Sequence, residues 1–477
     1  MLKLKQLAKD TAIYGLSSII GRFINYLLVP LYTVTLPASG GGYGVITNVY
    51  ALTALMLVLL TFGMETTFFR FANKEEEDPK KVYSTTLIAV GGVSLLFVVL
   101  VVAFISPISE FLGYGQHPSW VWVMALTVAI DAFSCIPFAY LRYQKRPIKF
   151  AALKLFNILL LVTMNIVYYV GMKGKDPGHT FYINCIASTV LLLCLGKELV
   201  GIRHGLSQPL LRRMLGYSWP ILVLGIAGIL NQTADKILFP YIYKGTDAHA
   251  QLGIYGAASK IAMIMAMITQ AFRYAYEPIV FAGVKDRNSK EMYAKAMKYF
   301  VVFTLIAFLG VMGYLDLLRY IIGRDYWDGL RVVPIVMAAE IMMGVYFNLS
   351  FWYKLIDKTI WGAVFSGIGC AVLIAINIIF VPRFGYVACA WAGVAGYGVA
   401  MLLSYLVGQK YYPIDYPVAQ MLRYVALALA ITALLITINK GIEVLVVKLF
   451  INTILIVLFG YVVLRDDIKA FLARRRR

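Results

Sequence analysis

The chain is dominated by apolar runs of about 20 residues, the length that an α-helix needs to cross about 30 Å of hydrocarbon. Hydrophobic residues make up 61% of the 477 residues and charged residues only 14%, whereas soluble domains have about 45–50% and about 25%. Because a bilayer core offers no water to the backbone, each run has to satisfy its own peptide groups as a helix. The sequence therefore predicts an all-α, polytopic membrane protein.

Fourteen such runs predict fourteen transmembrane helices. They begin near residues 12, 43, 85, 119, 150, 180, 217, 252, 297, 331, 360, 386, 421 and 444. Of the 44 Lys and Arg residues, 30 lie in the loops on the side of both termini and 8 in the opposite loops. By the positive-inside rule both termini are cytoplasmic. The net charge of +20 thus follows membrane topology, and no nucleic acid partner is expected.

A short motif occurs once in each half of the chain. GGYG at 41–44 aligns with GIYG at 253–256, and the same offset places Glu65 on Glu277. Both copies start a span on the extracytoplasmic side, which indicates two six-helix lobes related by a parallel repeat. The predicted division is 1–205 for spans one to six, 206–410 for spans seven to twelve, and 411–477 for two extra C-terminal helices with a basic cytoplasmic tail.

Ionisable side chains lie deep within several spans. The six deepest are Arg22, Asp131, Asp235, Lys236, Lys260 and Glu340. Each charge near the centre of a membrane helix costs about 2.5–3.5 kcal/mol on insertion scales. Six uncompensated charges would therefore outweigh the stability of a typical protein. We expect them to face one another or a water-filled cavity.

The densest polar cluster is the stretch NQTADKILF in span seven. Asn231 and Asp235 are four residues apart and share one wedge of the helix with Lys236. Because adjacent helical residues point about 100° apart, we expect that Asp235 and Lys236 do not neutralise each other and that each faces a different neighbour. Three cations at this depth, Arg22, Lys236 and Lys260, favour a site for an anionic substrate between the lobes. Purely architectural salt bridges, such as Arg22–Asp235, are the alternative.

Catalytic and metal chemistry find little support in the sequence. The five cysteines are Cys135, Cys185, Cys194, Cys370 and Cys389, all within predicted spans and without metal-ligand spacing. They are better explained as small apolar packing residues than as disulfides or metal ligands. The largest extracytoplasmic loop, 316–331, is short and contains no histidine. We therefore predict no catalytic residue, no metal site and no enzymatic activity.

Two regions resemble a known family. YGLSSIIGRFINYLLVPLYTVTLP, followed by YGVITNVYALTALMLVLLTFGMETTFFRF, is similar to the opening of polysaccharide (oligosaccharide-lipid, O-antigen-type) flippases. These belong to the multidrug/oligosaccharidyl-lipid/polysaccharide exporter superfamily. SWPILVLGIAGILNQTADKILFPY and LGIYGAASKIAMIMAMITQAFRYAYEPIVF resemble their seventh and eighth helices. Arg22, before Pro30–Thr33, matches the first-helix arginine, and Ala234–Lys236 match a small–Asp–basic motif in which Arg is the common third residue.

The resemblance implies a two-lobed bundle in the bacterial cytoplasmic membrane. Such a protein would move an undecaprenyl-diphosphate-linked oligosaccharide to the outer leaflet for surface polysaccharide export. A proton or sodium gradient would drive alternating access, with no bound cofactor. The expected substrate-binding residues are Arg22, Asn25, Asn231, Asp235, Lys236 and Lys260, of which Arg22 and Lys236 would hold the diphosphate. The expected ion-coupling residues are Asp235, Asp131 and Glu340.

The implied partners are the lipid-linked oligosaccharide, membrane lipids and polysaccharide polymerase machinery. The two last helices are expected to shelter the lipid tail of the substrate. A multidrug exporter and a peptidoglycan-precursor flippase of the same superfamily are alternatives, and a membrane glycosyltransferase or polymerase is the alternative from another class. Against the first, an exporter of organic cations should have an acidic cavity, whereas this chain places three basic residues at that depth.

Overall fold

The fold is described by a computed structural model. It covers residue 26, residues 28–282 and residues 289–475; for residues 274–275, 277–282, 289 and 466–475 only the backbone is described. Throughout these ranges the regular secondary structure is helical, and no strand occurs in them. The predicted all-α class is therefore confirmed.

The described helices follow the apolar runs closely. In chain order they are α1 (Leu28–Thr35), α2 (Gly42–Thr61), α3 (Met64–Ala72), α4 (Pro79–Ala103), α5 (Ile105–Phe111), α6 (Pro118–Tyr143), α7 (Pro147–Ile166), α8 (Gly178–Cys194), α9 (Gly196–Leu199), α10 (Gln208–Ile242), α11 (Ala248–Ala282), α12 (Ser289–Gly313), α13 (Leu315–Leu318), α14 (Val333–Leu349), α15 (Phe351–Leu355), α16 (Ile360–Phe384), α17 (Tyr386–Tyr411), α18 (Val418–Gly441) and α19 (Leu445–Arg475).

The number of spans in the described residues is roughly consistent with the fourteen predicted. Within the described residues, 12 helices are long and apolar enough to cross a membrane. The helix α8 and the short helical segment Gly196–His204, which follows after a bend of 62°, make a thirteenth span if the bent pair is counted as one. The first predicted span begins near residue 12, outside the described residues, and α1 is its described end. The described residues thus contain twelve, and with the bent pair thirteen, of the fourteen predicted spans.

The chain packs as two compact units, Met1–Gly253 and Ile254–Arg477. The seventh span, α10, packs against α2, α3 and α4 within the first unit. The sequence placed the division between the lobes earlier, after residue 205, on the criterion of an internal repeat. Packing and repeat symmetry are different criteria, so the lobe boundaries remain a prediction.

The first unit has an aromatic-rich core where α3, α4 and α6 meet. Met64 and Phe68 of α3 pack with Tyr83 and Leu87 of α4, all four with at most 2% of their surface exposed. The ring of Tyr83 stacks on that of Tyr140 at 4.0 Å between centroids. Hydrophobic burial drives little helix association inside a bilayer, so close packing of this kind has to hold the helices together.

The second unit contains a close crossing of α16 and α17. A Cβ built on Gly369 would lie 2.7 Å from the carbonyl oxygen of Gly396, and one built on Gly396 would lie 2.8 Å from the carbonyl oxygen of Gly369. Small residues let the backbones of membrane helices approach to this degree. Neither glycine has room for a methyl group.

We expect Gly369→Ala to destabilise the protein by about 1–3 kcal/mol, the usual cost of overpacking a filled interior. Gly367→Ala is the matched control in the same helix, because a Cβ there would meet no atom within 4 Å. Thermal unfolding of the purified variants should show a lower melting temperature for the first change only. Equal shifts for the two variants would contradict the close crossing.

Candidate functional site

The polar wedge of α10 is the centre of the candidate site. Asn231 and Asp235 are buried and Lys236 is half-buried. The amide nitrogen of Asn231 donates to the carbonyl oxygen of Ala227 at 2.9 Å, one turn earlier on the same helix. The structure therefore brings together these three residues predicted from the sequence.

Asp235 and Lys236 form an ion pair with each other. The Lys236 ammonium lies 3.0 Å from Oδ1 and 2.9 Å from Oδ2 of Asp235, and it also donates to the carbonyl oxygen of Gln232 at 3.1 Å. The expectation that these adjacent residues would not neutralise each other was wrong. It considered only the directions of the Cβ atoms, whereas the flexible four-carbon stem of lysine lets the ammonium reach back to its neighbour.

The side chain of Asp235 is less exposed than that of Lys236. Its side chain is 9% exposed, compared with 23% for Lys236. Its Oδ1 also accepts the backbone N–H of Lys236 at 2.9 Å. The pair is thus neutral at a depth where isolated charges are expensive, while the ammonium retains some access to its surroundings.

A proline creates a second polar feature on α10. Residue 240 is Pro, which has no N–H to give to the carbonyl of residue 236, four positions earlier. The side-chain nitrogen of Asn48, on α2, donates to this carbonyl oxygen of Lys236 at 2.8 Å. Asn48 therefore replaces the hydrogen bond that Pro240 removes, and it links α2 to α10 beside the ion pair.

Tyr114 orients this asparagine. Its hydroxyl donates to Oδ1 of Asn48 at 2.8 Å, so the amide nitrogen is the atom that faces α10. The sequence interpretation missed both residues. The available signal was a proline inside a membrane helix, which implies an unpaired carbonyl and hence a donor on a neighbouring helix.

Asp131 belongs to a separate group of charges in the first unit. Asp131, on α6, lies near Ser188 of α8 and near Lys154 of α7. Lys154 also lies over the ring of Phe138, at 4.1 Å from its centroid. A cation with a desolvated aromatic face and a carboxylate nearby is well compensated.

A second carboxylate, Glu65 of α3, contacts two residues of α6. It pairs with Arg142 and accepts a hydrogen bond from the thiol of Cys135 at 2.9 Å. Cys135 thus has a polar partner in addition to the packing role predicted for it. All five cysteines are free thiols in the structure.

The remaining sequence candidates are distributed elsewhere. Lys260 lies on α11 and Glu340 on α14, both half-buried in the second unit. Arg22 and Asn25 lie outside the described residues. The predicted cationic site between the lobes and the Arg22–Asp235 contact therefore remain predictions.

An apolar groove of about 450 Å³ lies in the second unit between α12, α14, α17 and α18. Leu305, Met342, Leu402 and Val425 represent the four helices in its lining. Leu402 is 54% exposed, which places part of the lining at the surface of the unit. One wall is α18, the first of the two C-terminal helices beyond the predicted repeat.

A polytopic bundle with ion pairs inside its spans and an apolar groove among four helices has the architecture of a membrane transporter. The sequence matches the model of the family described as polysaccharide biosynthesis protein over residues 39–331. The chain belongs to this family. The resemblance to polysaccharide flippases is thereby confirmed.

Solved transporter structures share the fold. Lipid II flippase MurJ in an inward closed conformation matches with a TM-score of 0.75 at 15% identity, over 97% of this chain and 100% of the other. An inward-facing multidrug resistance transporter of the MATE family in the MOP superfamily matches with a TM-score of 0.65 at 14% identity, over 84% and 97%. The MATE multidrug transporter DinF-BH gives 0.59 at 16% identity, over 84% and 95%. Comparison with curated proteins gives no match.

The link between Asn48 and α10 can be tested with a rescue. Asn48→Leu should lower stability by about 1–3 kcal/mol, because it removes the side-chain donor to the Lys236 carbonyl inside a membrane span. Adding Pro240→Ala restores the helical N–H, so the double variant should recover most of the loss in melting temperature. If Asn48→Leu is equally destabilising with proline or alanine at position 240, the assigned role of Asn48 is wrong.

Proposed function

We propose that the protein is a flippase that moves an undecaprenyl-diphosphate-linked oligosaccharide to the outer leaflet for surface polysaccharide export. It acts by ion-coupled alternating access and is not an enzyme. The observation that carries the proposal is the Lys236 ammonium, which is held partly exposed inside a membrane span of a polysaccharide-biosynthesis family member. A diphosphate needs such a cation to offset its charges in the hydrocarbon.

The proposed binding step exchanges one anion for another at Lys236. Asp235 neutralises the ammonium when no substrate is bound, and the diphosphate takes its place on binding. Asn231 lies one turn away on the same wedge of α10 and offers an amide to the sugar or phosphate oxygens. Arg22, Asn25 and Lys260 complete the proposed set, from the resemblance and from their positions in predicted spans.

The proposed coupling follows from the same exchange. Asp235 is the first proposed coupling position, because it is the carboxylate that the exchange releases from Lys236. An inward proton or sodium gradient drives export only by exchange, so the ion binds Asp235 on the outer side after the diphosphate has left and crosses inward as the empty carrier returns. Its release on the cytoplasmic side restores the Asp235–Lys236 pair. Asp131 and Glu340 are the other proposed coupling positions, and Lys154 supplies the countercharge for Asp131.

The apolar groove is the proposed site for part of the polyprenyl tail. Its apolar lining offers a hydrocarbon chain an environment similar to that of the bilayer. Because α18 forms one wall of the groove, binding of the lipid tail would explain why the protein has a helix outside the two repeated lobes. We place the protein in the bacterial cytoplasmic membrane, with both termini cytoplasmic and with polysaccharide polymerase machinery as a partner.

Lys236→Ala should abolish surface glycan while the amount of protein in the membrane stays normal. Lys236→Arg should retain export, because arginine keeps the charge and forms bidentate bonds to phosphate. The measurement is surface glycan in cells that lack the native gene, normalised to membrane protein. Lys440→Ala, which removes an exposed lysine at the end of α18, is the control.

The alternatives give different outcomes in the same cells. Wild-type glycan export by Lys236→Ala would refute the diphosphate role. Intact glycan with arrested cell-wall synthesis in cells lacking the gene would identify a peptidoglycan-precursor flippase. Intact glycan with loss of resistance to organic cations would identify a multidrug exporter.

Filling the groove should also stop transport. Val425→Trp adds a large side chain to the lining, so glycan export should fall strongly while the purified protein still unfolds cooperatively. Leu434→Trp is the matched control on α18, since Leu434 is 46% exposed and is not part of the groove lining. Unchanged export by Val425→Trp would exclude the groove as the tail site.

A further inference from the structure

A second pocket, of about 330 Å³, lies in the first unit on the face that the Lys and Arg distribution predicts to be cytoplasmic. It is formed where α4 begins, where α6 ends, and along the segment that joins α8 to α10. None of the residues predicted for substrate binding or ion coupling contributes to its lining. The pocket is therefore distinct from the candidate site on α10.

Four cations converge on this pocket from three segments. They are Lys80, Arg146, Lys197 and Arg203, all exposed. Within the described part of the chain, no carboxylate pairs with any of them. Four like charges repel one another around a shared space, and a bound anion relieves this repulsion.

The single carboxylate in the lining does not cancel these charges. Glu198 is buried, and its Oε1 lies 2.5 Å from the ammonium of Lys149. This pair is neutral by itself, and Lys149 is not part of the lining. Among the described residues, the four cations of the rim thus remain uncompensated.

The floor of the pocket is rigidly built. Tyr83 is buried, and its hydroxyl donates to the carbonyl oxygen of Glu198 at 2.9 Å. The next residue, Ser84, donates to the carbonyl oxygen of Ile202 at 3.0 Å. Gly201 lets the Tyr83 ring approach, since a Cβ there would overlap the ring. The segment that carries Lys197 and Arg203 is therefore fixed to α4.

Exposed apolar side chains surround the cations. Ile148, Val200, Ile202 and Leu206 are 75%, 51%, 47% and 45% exposed. Three of them, Val200, Ile202 and Leu206, lie in the same short segment as Lys197 and Arg203. Basic and apolar side chains presented together in this way are typical of chain lying in the interface of a membrane. At that depth the abundant anions are phospholipid headgroups, and basic pockets between helices on this side bind them.

We propose that this pocket binds the phosphodiester headgroup of an anionic phospholipid. The headgroup bridges α4, the turn before α7 and the segment before α10, and so fixes the entry of the helix that carries Asp235 and Lys236. Bound lipid stabilises the first unit and makes its stability depend on membrane composition. The inference goes beyond the proposed transport function and does not depend on the identity of the substrate.

The test compares charge-matched variants of the full-length protein in nanodiscs. Phosphatidylcholine nanodiscs with and without phosphatidylglycerol give the lipid-dependent gain in melting temperature for each protein. Arg146→Gln/Arg203→Gln should lose most of this gain and bind phosphatidylglycerol about 25-fold more weakly, from about fivefold for each cation near a membrane surface. Lys145→Gln/Arg212→Gln removes two exposed cations outside the lining and should keep the gain.

Each variant serves as its own reference, so a change in stability without anionic lipid does not affect the comparison. Lys80→Gln/Lys197→Gln is a second pocket pair and should reproduce the loss. An equal loss in the pocket and control pairs would overturn the proposal, because general surface charge would then explain the effect. Inorganic phosphate that stabilises the protein in lipid-free detergent as much as phosphatidylglycerol does would overturn the assignment to lipid.

Discussion

Inside a bilayer the polar groups of the protein need partners within the protein, and this constraint determines how α2 and α10 pack in the first unit. The clearest case is the carbonyl of Lys236, whose helical donor is missing because residue 240 is proline. Asn48 supplies the donor from α2 at 2.8 Å, and Tyr114 holds the amide in the required orientation. A buried carbonyl without a donor would cost about 1–3 kcal/mol. The contact between α2 and α10 is thus specific rather than merely apolar.

The same constraint explains how the deep charges are tolerated. Asp235 and Lys236 neutralise each other, and Asp131 has Lys154 nearby. The same pair is the proposed binding site, where an anion that takes the place of Asp235 leaves this carboxylate in need of another compensating charge. Any exchange of anions at Lys236 therefore has to include a change at Asp235.

Span positions could be predicted from the sequence because membrane thickness imposes one length on every apolar run. Starts expected near 360 and 386 coincide with Ile360 and Tyr386, the first residues of α16 and α17. Partners of the deep charges could not be predicted in this way. These partners depend on side-chain conformations and on which helices pack together, and neither produces a periodic pattern in the sequence. The Asp235–Lys236 pair shows this, since the directions of the Cβ atoms indicated the opposite.

The GGYG motif has a structural explanation in the same helix contact. Gly44 and Asn48 are four residues apart, so they share one face of α2. A Cβ on Gly44 would overlap the carbonyl oxygen of His249 and lie 2.9 Å from the backbone nitrogen of Gly253. One stripe of α2 therefore contacts two helices. Gly44 lets the start of α11 approach closely, and Asn48 donates to the carbonyl of α10 that lacks its helical donor. Gly44 thus acts in helix packing rather than in a turn. The same stripe of α2 positions the polar candidate site on α10.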